Sequence, residues 1–114
     1  MKLILTLRVT PIGTCTTSLS DYVAEVERVF ESLGLKHVLT ASATIIEVNN
    51  VEEVSEILKA VIDVLTHKGV RRILIDLSID YRVDKDLSIE GKVASVLEKL
   101  GPGTRVAEAS GLRR

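Results

Sequence analysis

The sequence predicts an α+β fold in which two strand–helix units flank a central β-hairpin and a third helix follows. Apolar residues alternate with other residues near positions 3–9 and 73–79, as is typical of strands with one buried face. Three other stretches repeat apolar residues every three or four positions, as amphipathic helices do. The resulting order, strand–helix–strand–strand–helix–strand, is that of the ferredoxin-like split βαβ sandwich.

The first strand is expected to end at Pro11, because proline has no backbone N–H to donate to a neighbouring strand. A small, hydroxyl-rich loop follows over residues 12–17. Ser18 is the predicted N-cap of the first helix, with Asp21 three residues later completing a weak capping box. This helix is expected over residues 18–33, since Gly34 stands where a helix-ending glycine belongs.

Two β-rich runs, residues 35–40 and 43–48, predict a hairpin across Ala41 and Ser42, although these residues are not a strong turn signal. Asn49 and Asn50 are expected to cap the second helix, which Gly69 closes.

The fourth strand covers residues 72–80, and a charged connection leads to a third helix that begins at Ser88. Gly101, Pro102 and Gly103 stop this helix. We therefore expect one domain over residues 1–100 and a C-terminal tail, flexible or bound to a partner, over residues 101–114.

The two faces of the predicted sheet differ in composition. The face beneath the first two helices carries apolar residues: Leu3, Leu5, Leu7, Ile73, Ile75 and Leu77. The opposite face mixes aliphatic, hydroxyl and charged residues: Ile4, Thr6, Arg8, Leu74, Asp76 and Ser78. Neither of the first two helices covers this second face, so it must meet solvent, the third helix or another subunit. We expect subunit pairing through this face or through the sheet edges.

Composition excludes several classes of protein. A chain of 114 residues fits one domain, and a net charge of −1 argues against a nucleic-acid binder. Cys15 is the single cysteine, so an intramolecular disulfide and a multi-cysteine metal site are excluded. No stretch of about 18 apolar residues could span a membrane, and a cytoplasmic location is the simplest expectation.

The loop before the first helix is the most informative candidate site. A helix N-terminus presents free N–H groups and a partial positive charge, and Gly13, Thr14 and Ser18 stand beside it. These residues could bind a polar or anionic ligand. The alternative is that Ser18 only caps the helix and the threonines only form a turn.

Glu47 is the second candidate, because carboxylates are depleted in strands. It could accept hydrogen bonds from an amino-heterocycle or pair with a cation, or it could be a surface residue paired with Arg8 or Arg72. Asp76 has the same two interpretations.

No catalytic arrangement or metal site emerges from the remaining polar residues. His37 is expected on a strand surface and His67 at a helix C-terminus, so the two histidines do not cluster. Cys15 has no partner that suggests a nucleophile. These absences favour a binding protein without a cofactor over an enzyme.

Several motifs resemble those of the thiamine-binding family of small YkoF-like domains. Val9-Thr10-Pro11-Ile12-Gly13-Thr14 and Thr17-Ser18-Leu19-Ser20-Asp21-Tyr22-Val23 are similar to its V-x-P-x-G-T-x-x-x-S-x-x-Y-V opening. Further matches are Gly34-Leu35-Lys36 with Leu39-Thr40, Thr44-Ile45-Ile46-Glu47, and Ile79-Asp80-Tyr81-Arg82 with Asp84-Lys85 and Lys92-Val93. The chain departs from the family at Ala43, where glycine is frequent.

This resemblance implies a ferredoxin-like fold, a homodimer or homotetramer, and binding of thiamine or its hydroxymethylpyrimidine part in thiamine uptake, salvage or delivery. The matching positions are Gly13, Thr14, Ser18, Thr44 and Glu47. The chemistry of Glu47 suits the aminopyrimidine or the thiazolium cation, and the loop hydroxyls suit the ring nitrogens.

An oligomeric regulatory or interaction module, binding another small ligand or a protein, is the alternative function, since this topology serves many roles. Two other classes of protein share this topology, but the residues of this chain do not fit either of them. An acylphosphatase-type enzyme needs an arginine in the loop after the first strand, and residues 12–16 contain none. An RNA-recognition domain needs stacking aromatics on the central strands, which are absent from residues 3–9 and 73–79.

Overall fold

The computed structural model describes residues 1–103, so most of the predicted tail over 101–114 lies outside the described residues. Within this part, four strands and three helices follow the predicted order. The elements are β1 (Leu3–Ile12), α1 (Ser20–Ser32), β2 (Lys36–Leu39), β3 (Thr44–Val48), α2 (Glu52–His67), β4 (Arg72–Asp80) and α3 (Ile89–Leu100).

The strands form one antiparallel sheet in the order β2-β3-β1-β4. This is the ferredoxin-like arrangement that the alternating and helical patterns predict. The two crossovers place α1 and α2 on the same face of the sheet, and the predicted covered face is confirmed. The core contains mainly aliphatic side chains: Leu3, Leu5, Leu7, Val26, Phe30, Ile46, Val48, Val54, Ile57, Val61, Leu65 and Val70.

The end of β1 differs from the prediction. The strand does not end at Pro11 but continues to Ile12, with Pro11 opposite Ile73 of β4. Pairing with β3 stops at Leu7 opposite Thr44, so residues 8–12 of β1 have a partner on one side only. A proline is tolerated there because its missing N–H can face the side without a neighbouring strand.

The predicted cap of α1 is wrong. The helix begins at Ser20, Leu19 occupies the N-cap position, and no side chain caps it. The backbone N–H of Ser18 instead donates to the Thr16 hydroxyl at 3.3 Å. Local hydrogen bonds within the loop therefore compete with capping, as serine and threonine commonly allow.

The predicted cap of α3 is confirmed, and α2 has a capping hydrogen bond from Asn50, although Val51 occupies its N-cap position. The Asn50 side chain accepts a hydrogen bond from the N–H of Glu53 at 3.0 Å, and the Ser88 hydroxyl accepts one from the N–H of Gly91 at 2.9 Å.

The second face of the sheet is partly covered by the start of α3. Ile4 and Val38 are buried there against Leu87 and Ile89, with Ile45 packed beside them. Towards β4 the same face stays exposed, and Leu74 has 51% of its surface accessible.

Candidate functional site

A cavity of about 110 Å³ lies between α1, the end of β1 and the turn that joins β2 to β3. It occupies the space beyond the last β1–β3 residue pair, where β1 continues without β3. Its wall is mostly apolar and includes Val9, Pro11, Tyr22, Val26 and Phe30. An apolar cavity with a few polar groups is the usual form of a small-molecule site.

Glu27 of α1 supplies a carboxylate to this cavity. Its side chain is only 14% exposed, and its Oε2 accepts a hydrogen bond from the Thr44 hydroxyl of β3 at 2.7 Å. Burial raises the pKa of Glu27, because a low-dielectric surrounding disfavours the charged form. The Thr44 hydrogen bond and the nearby His37 act in the opposite direction and offset only part of this effect.

The sequence predicted His37 on the surface of a strand, and this prediction is wrong. The residue lies in the core, next to Glu27. Its ring is 2% exposed and packs edge-on against Phe30, with the ring centroids 5.8 Å apart. Its Nδ1 lies 2.8 Å from the carbonyl oxygen of Leu35, which can only accept, so Nδ1 carries the proton. The Nε2 then faces Oε1 of Glu27 at 3.8 Å.

Thr40 fixes the turn that closes one side of the cavity. Its N–H and its hydroxyl both donate to the carbonyl of Ala43, at 2.9 and 2.7 Å. The N–H of Ala43 donates back to the Thr40 hydroxyl at 3.2 Å. Ala41, Ser42 and Ala43 therefore stand in a defined position along the cavity wall.

The loop that contains Gly13, Thr14 and Ser18 lies outside the cavity. Gly13 and Thr14 line a shallow, open depression, and Pro11 borders both this depression and the cavity. The Thr14 hydroxyl donates to the carbonyl of Thr16 at 3.2 Å, and the Ser18 hydroxyl lies 3.2 Å from that of Ser20. These hydroxyls already have partners within the loop or at the start of α1.

Glu47 lies at the other end of the sheet. It stands opposite Ile4 near the start of β1, whereas Gly13 follows the end of β1, a separation of about 30 Å along a strand. Its Oε1 accepts a hydrogen bond from the N–H of Ile89 at 3.0 Å, and Lys36 Nζ lies 3.1 Å away. Lys2 Nζ approaches the other oxygen at 3.5 Å.

Glu47 pairs with lysines, where the sequence suggested Arg8 or Arg72. Arg8 instead contacts Asp76 at 3.2 Å, which agrees with the structural interpretation of Asp76.

Of the five predicted site residues, the structure places Thr44 in the cavity, Gly13, Thr14 and Ser18 in the neighbouring loop, and Glu47 on the opposite face of the sheet, about 10 Å along β3 from Thr44. Their roles towards a ligand stay predictions. Sequence reasoning missed Glu27. The signal was present, since Val23, Glu27 and Phe30 follow helical spacing and place this carboxylate on the same face as two apolar residues.

Residues 5–97 match the sequence model of the thiamine-binding protein family. The chain belongs to this family. The match covers both sides of the cavity and confirms the resemblance seen in the motifs. Among residues 1–103, no cluster of three or more histidine, cysteine or acidic side chains could hold a metal ion, and no helix is long and apolar enough to cross a membrane.

Relatives of this thiamine-binding-family chain occur in archaea and bacteria. It is 36% identical over 94 residues to a UPF0045 protein of Methanothermobacter thermautotrophicus, covering 82% of this chain and 95% of the relative. It is 34% identical over 96 residues to the UPF0045 protein YqgV of Bacillus subtilis, covering 81% and 91%.

Solved structures show the same fold. A hypothetical protein of Methanocaldococcus jannascii aligns with a TM-score of 0.73 at 31% identity, covering 85% of this chain and 97% of that one. A Thermotoga maritima protein with a proposed role in thiamine biosynthesis or salvage aligns with a TM-score of 0.71 at 23% identity, covering 84% and 99%. The second likeness concerns the fold alone.

Proposed function

We propose that this chain is a non-catalytic protein that binds thiamine through its aminopyrimidine ring, in the cavity beside Glu27. The observation that carries the proposal is a mostly buried carboxylate in the wall of a mainly apolar cavity, in a member of the thiamine-binding family. Hydroxymethylpyrimidine, which contains the same ring, is the second ligand that this site suits. The corresponding cellular role is thiamine uptake, salvage or delivery.

The chemistry of the cavity suits the two kinds of surface on an aminopyrimidine. The flat ring faces are apolar and can pack against Val26 and Phe30. The ring edge carries an amino group, which can donate to the Glu27 carboxylate, and a charged acceptor makes the stronger hydrogen bond. An engineered apolar cavity of about 150 Å³ holds benzene, so a space of this order suits one small ring.

The remaining part of thiamine would then leave the cavity past Pro11 and meet the loop with Gly13, Thr14 and Ser18. This path keeps a ligand role for three of the sequence-predicted residues. Glu47 has a structural role in this proposal, because it lies at the far end of β1.

Calorimetric titration of the full chain with thiamine and with hydroxymethylpyrimidine tests the proposal. We expect both to bind and to raise the thermal midpoint, since a ligand at 100 times its dissociation constant adds about 2.7 kcal/mol of stability. Glu27→Gln should weaken binding, because a neutral amide is a poorer acceptor than a carboxylate. Glu56→Gln, which changes an exposed carboxylate on α2 that does not line the cavity, is the matched control and should bind like the parent.

Failure of both ligands to bind would overturn the proposal and favour the alternative of an interaction module. Normal binding by Glu27→Gln would overturn the site while leaving thiamine binding in place.

A further inference from the structure

The second half of β1 has a free edge inside the domain. β3 pairs with β1 only as far as Leu7 opposite Thr44, whereas β4 pairs with it as far as Ile12. Residues 8–12 therefore have no neighbouring strand on the side where β3 stops, and this side borders the cavity. A free strand edge presents backbone N–H and C=O groups that no neighbouring strand has paired.

The turn between β2 and β3 shows which backbone groups of β1 point towards β3. The N–H of Thr40 donates to the carbonyl of Ala43, so these two residues form a hydrogen-bonded pair of the hairpin. Such pairs alternate with pairs that have no hydrogen bond, so Thr44, opposite Leu39, points its N–H and C=O away from β2 and towards β1. Leu7 stands opposite Thr44 and therefore points its own backbone groups towards β3.

Val9 is the residue whose N–H and C=O face the gap. Direction alternates along a strand, so Val9 and Pro11 point the same way as Leu7, and the absence of an N–H from Pro11 agrees with this orientation. Val9 stands opposite Ile75 of β4 in a pair without hydrogen bonds. Among residues 1–103, neither its N–H nor its C=O has a hydrogen-bond partner. Val9 is half-buried in the cavity wall, and unpaired backbone groups at such a position favour a polar partner.

We propose that the N–H and C=O of Val9 bind the amidine edge of the ligand, which is a ring nitrogen with an amino group beside it. The inference rests on the proposed function and names the chemical class that the cavity takes, the 4-aminopyrimidines. The ring nitrogen accepts from the N–H of Val9, and the amino group donates one hydrogen to its C=O and the other to Glu27. The ring continues the plane of the sheet where β3 stops, with one face towards α1.

This arrangement discriminates against the 4-oxo counterpart of the ligand. In that compound the ring nitrogen carries a hydrogen and the neighbouring group is a carbonyl oxygen. A donor then meets the N–H of Val9 and an acceptor meets its C=O, so neither backbone group is paired. We expect the 4-oxo form of hydroxymethylpyrimidine to bind at least about 100-fold more weakly than the 4-amino form, because a site built for hydrogen bonds rejects a ligand that cannot make them.

The first test follows backbone amides of the full chain by NMR during titration with hydroxymethylpyrimidine. In the free protein the amide of Val9 should exchange with solvent faster than that of Thr10, which points to β4. Bound ligand should slow the exchange of Val9 and shift its amide resonance, with little change at Thr10. Binding without a change at Val9, or slow exchange of Val9 in the free protein, would overturn the inference alone. Absence of binding would overturn the proposed function together with it.

The second test removes the N–H by Val9→Pro. The variant should fold as the parent does, because this N–H faces no strand, and it should bind hydroxymethylpyrimidine about tenfold more weakly. Val9→Ala keeps the N–H and should bind more tightly than Val9→Pro. Equal affinity of Val9→Pro and the parent, or an equal loss in Val9→Ala and Val9→Pro, would count against a role for the backbone. If Val9→Pro does not fold, the amide measurements on the parent decide.

Discussion

The Glu47 carboxylate accepts a hydrogen bond from the backbone N–H of Ile89 at 3.0 Å and thereby joins the first turn of α3 to β3. The group is 8% exposed, so the N–H it satisfies has no ready access to water. Glu47 also contacts Lys36, which in turn contacts Glu90 of α3. This pair of elements is therefore held together by a buried carboxylate as well as by apolar packing.

Removal of this carboxylate should loosen α3. Glu47→Ala is expected to lower the free energy of unfolding by about 1–3 kcal/mol, because a buried donor loses its partner. Urea denaturation measures the change. Glu90→Ala is the control, since it removes only a surface ion pair to Lys36 and should cost less than about 1 kcal/mol. Equal losses in the two variants would contradict a special role for Glu47.

Two serines that precede helices in the sequence should respond differently to alanine. Ser88→Ala is expected to cost about 1 kcal/mol, because the hydroxyl caps α3 through Gly91. Ser18→Ala should change stability by less than about 0.5 kcal/mol, because Ser18 caps no helix and is exposed. Thermal or urea unfolding of both variants compares them directly, and a larger loss for Ser18→Ala would count against the observed start of α1.

Ionisation of Glu27 should make the folded state less stable as pH rises. In the unfolded chain this group titrates near its ordinary value of 4.5, and in the folded protein burial raises the pKa. Below pH 4.5 Glu27 is protonated in both the folded and the unfolded state, and its contribution to the stability of the folded state is fully present. Above it the unfolded state releases its proton first, so the contribution falls until the folded group also ionises.

The comparison with Glu27→Gln isolates this effect. The unfolding free energy of the parent minus that of the variant should decrease as pH rises above 4.5 and then become constant. The other ionisable groups near Glu27 are His37 and Glu31, and both remain in the variant. Urea denaturation across this range supplies the difference, and a difference that increases with pH would show that the pKa shift has the opposite sign.

Thr44→Val should raise the pKa of Glu27 further. The Thr44 hydroxyl donates to the carboxylate and stabilises its charged form, so its removal leaves burial less opposed. Carboxyl carbon chemical shifts followed by NMR report this titration. Thr6→Val, which changes an exposed threonine on β1, should leave the titration unchanged. If the titration of Glu27 is unchanged in Thr44→Val, the Thr44 hydroxyl does not stabilise the charged form of Glu27.

The fold was predictable because its signals are local. Alternation predicted residues 72–80 as a strand, and the structure gives β4 the same bounds. Glycine after an apolar repeat marked the end of each helix correctly to within a few residues, as at Gly34 and Gly101. The predictions at Pro11 and Ser18 were wrong because contacts with other residues determine these two boundaries. The end of β1 depends on where β3 stops, and the start of α1 depends on the hydrogen bonds of the loop hydroxyls.

The candidate site was less predictable because its members come from different elements. Thr44 and Glu27 are far apart in the chain, and only the packing of α1 on β3 brings them to 2.7 Å. Glu47 shows the converse case. Its position within a strand marked it as unusual, but the sequence could not say that it would accept a hydrogen bond from the backbone N–H of Ile89.

The unequal lengths of β1 and β3 have a consequence for how such a domain can change. The cavity is the gap left where β3 stops, and the turn over residues 40–43 forms one side of it. No residue of this turn belongs to the buried core that holds the sheet to α1 and α2. Insertions or substitutions in this turn can therefore alter ligand selectivity while the stability of the fold is maintained, so specificity and foldability can evolve separately in this chain.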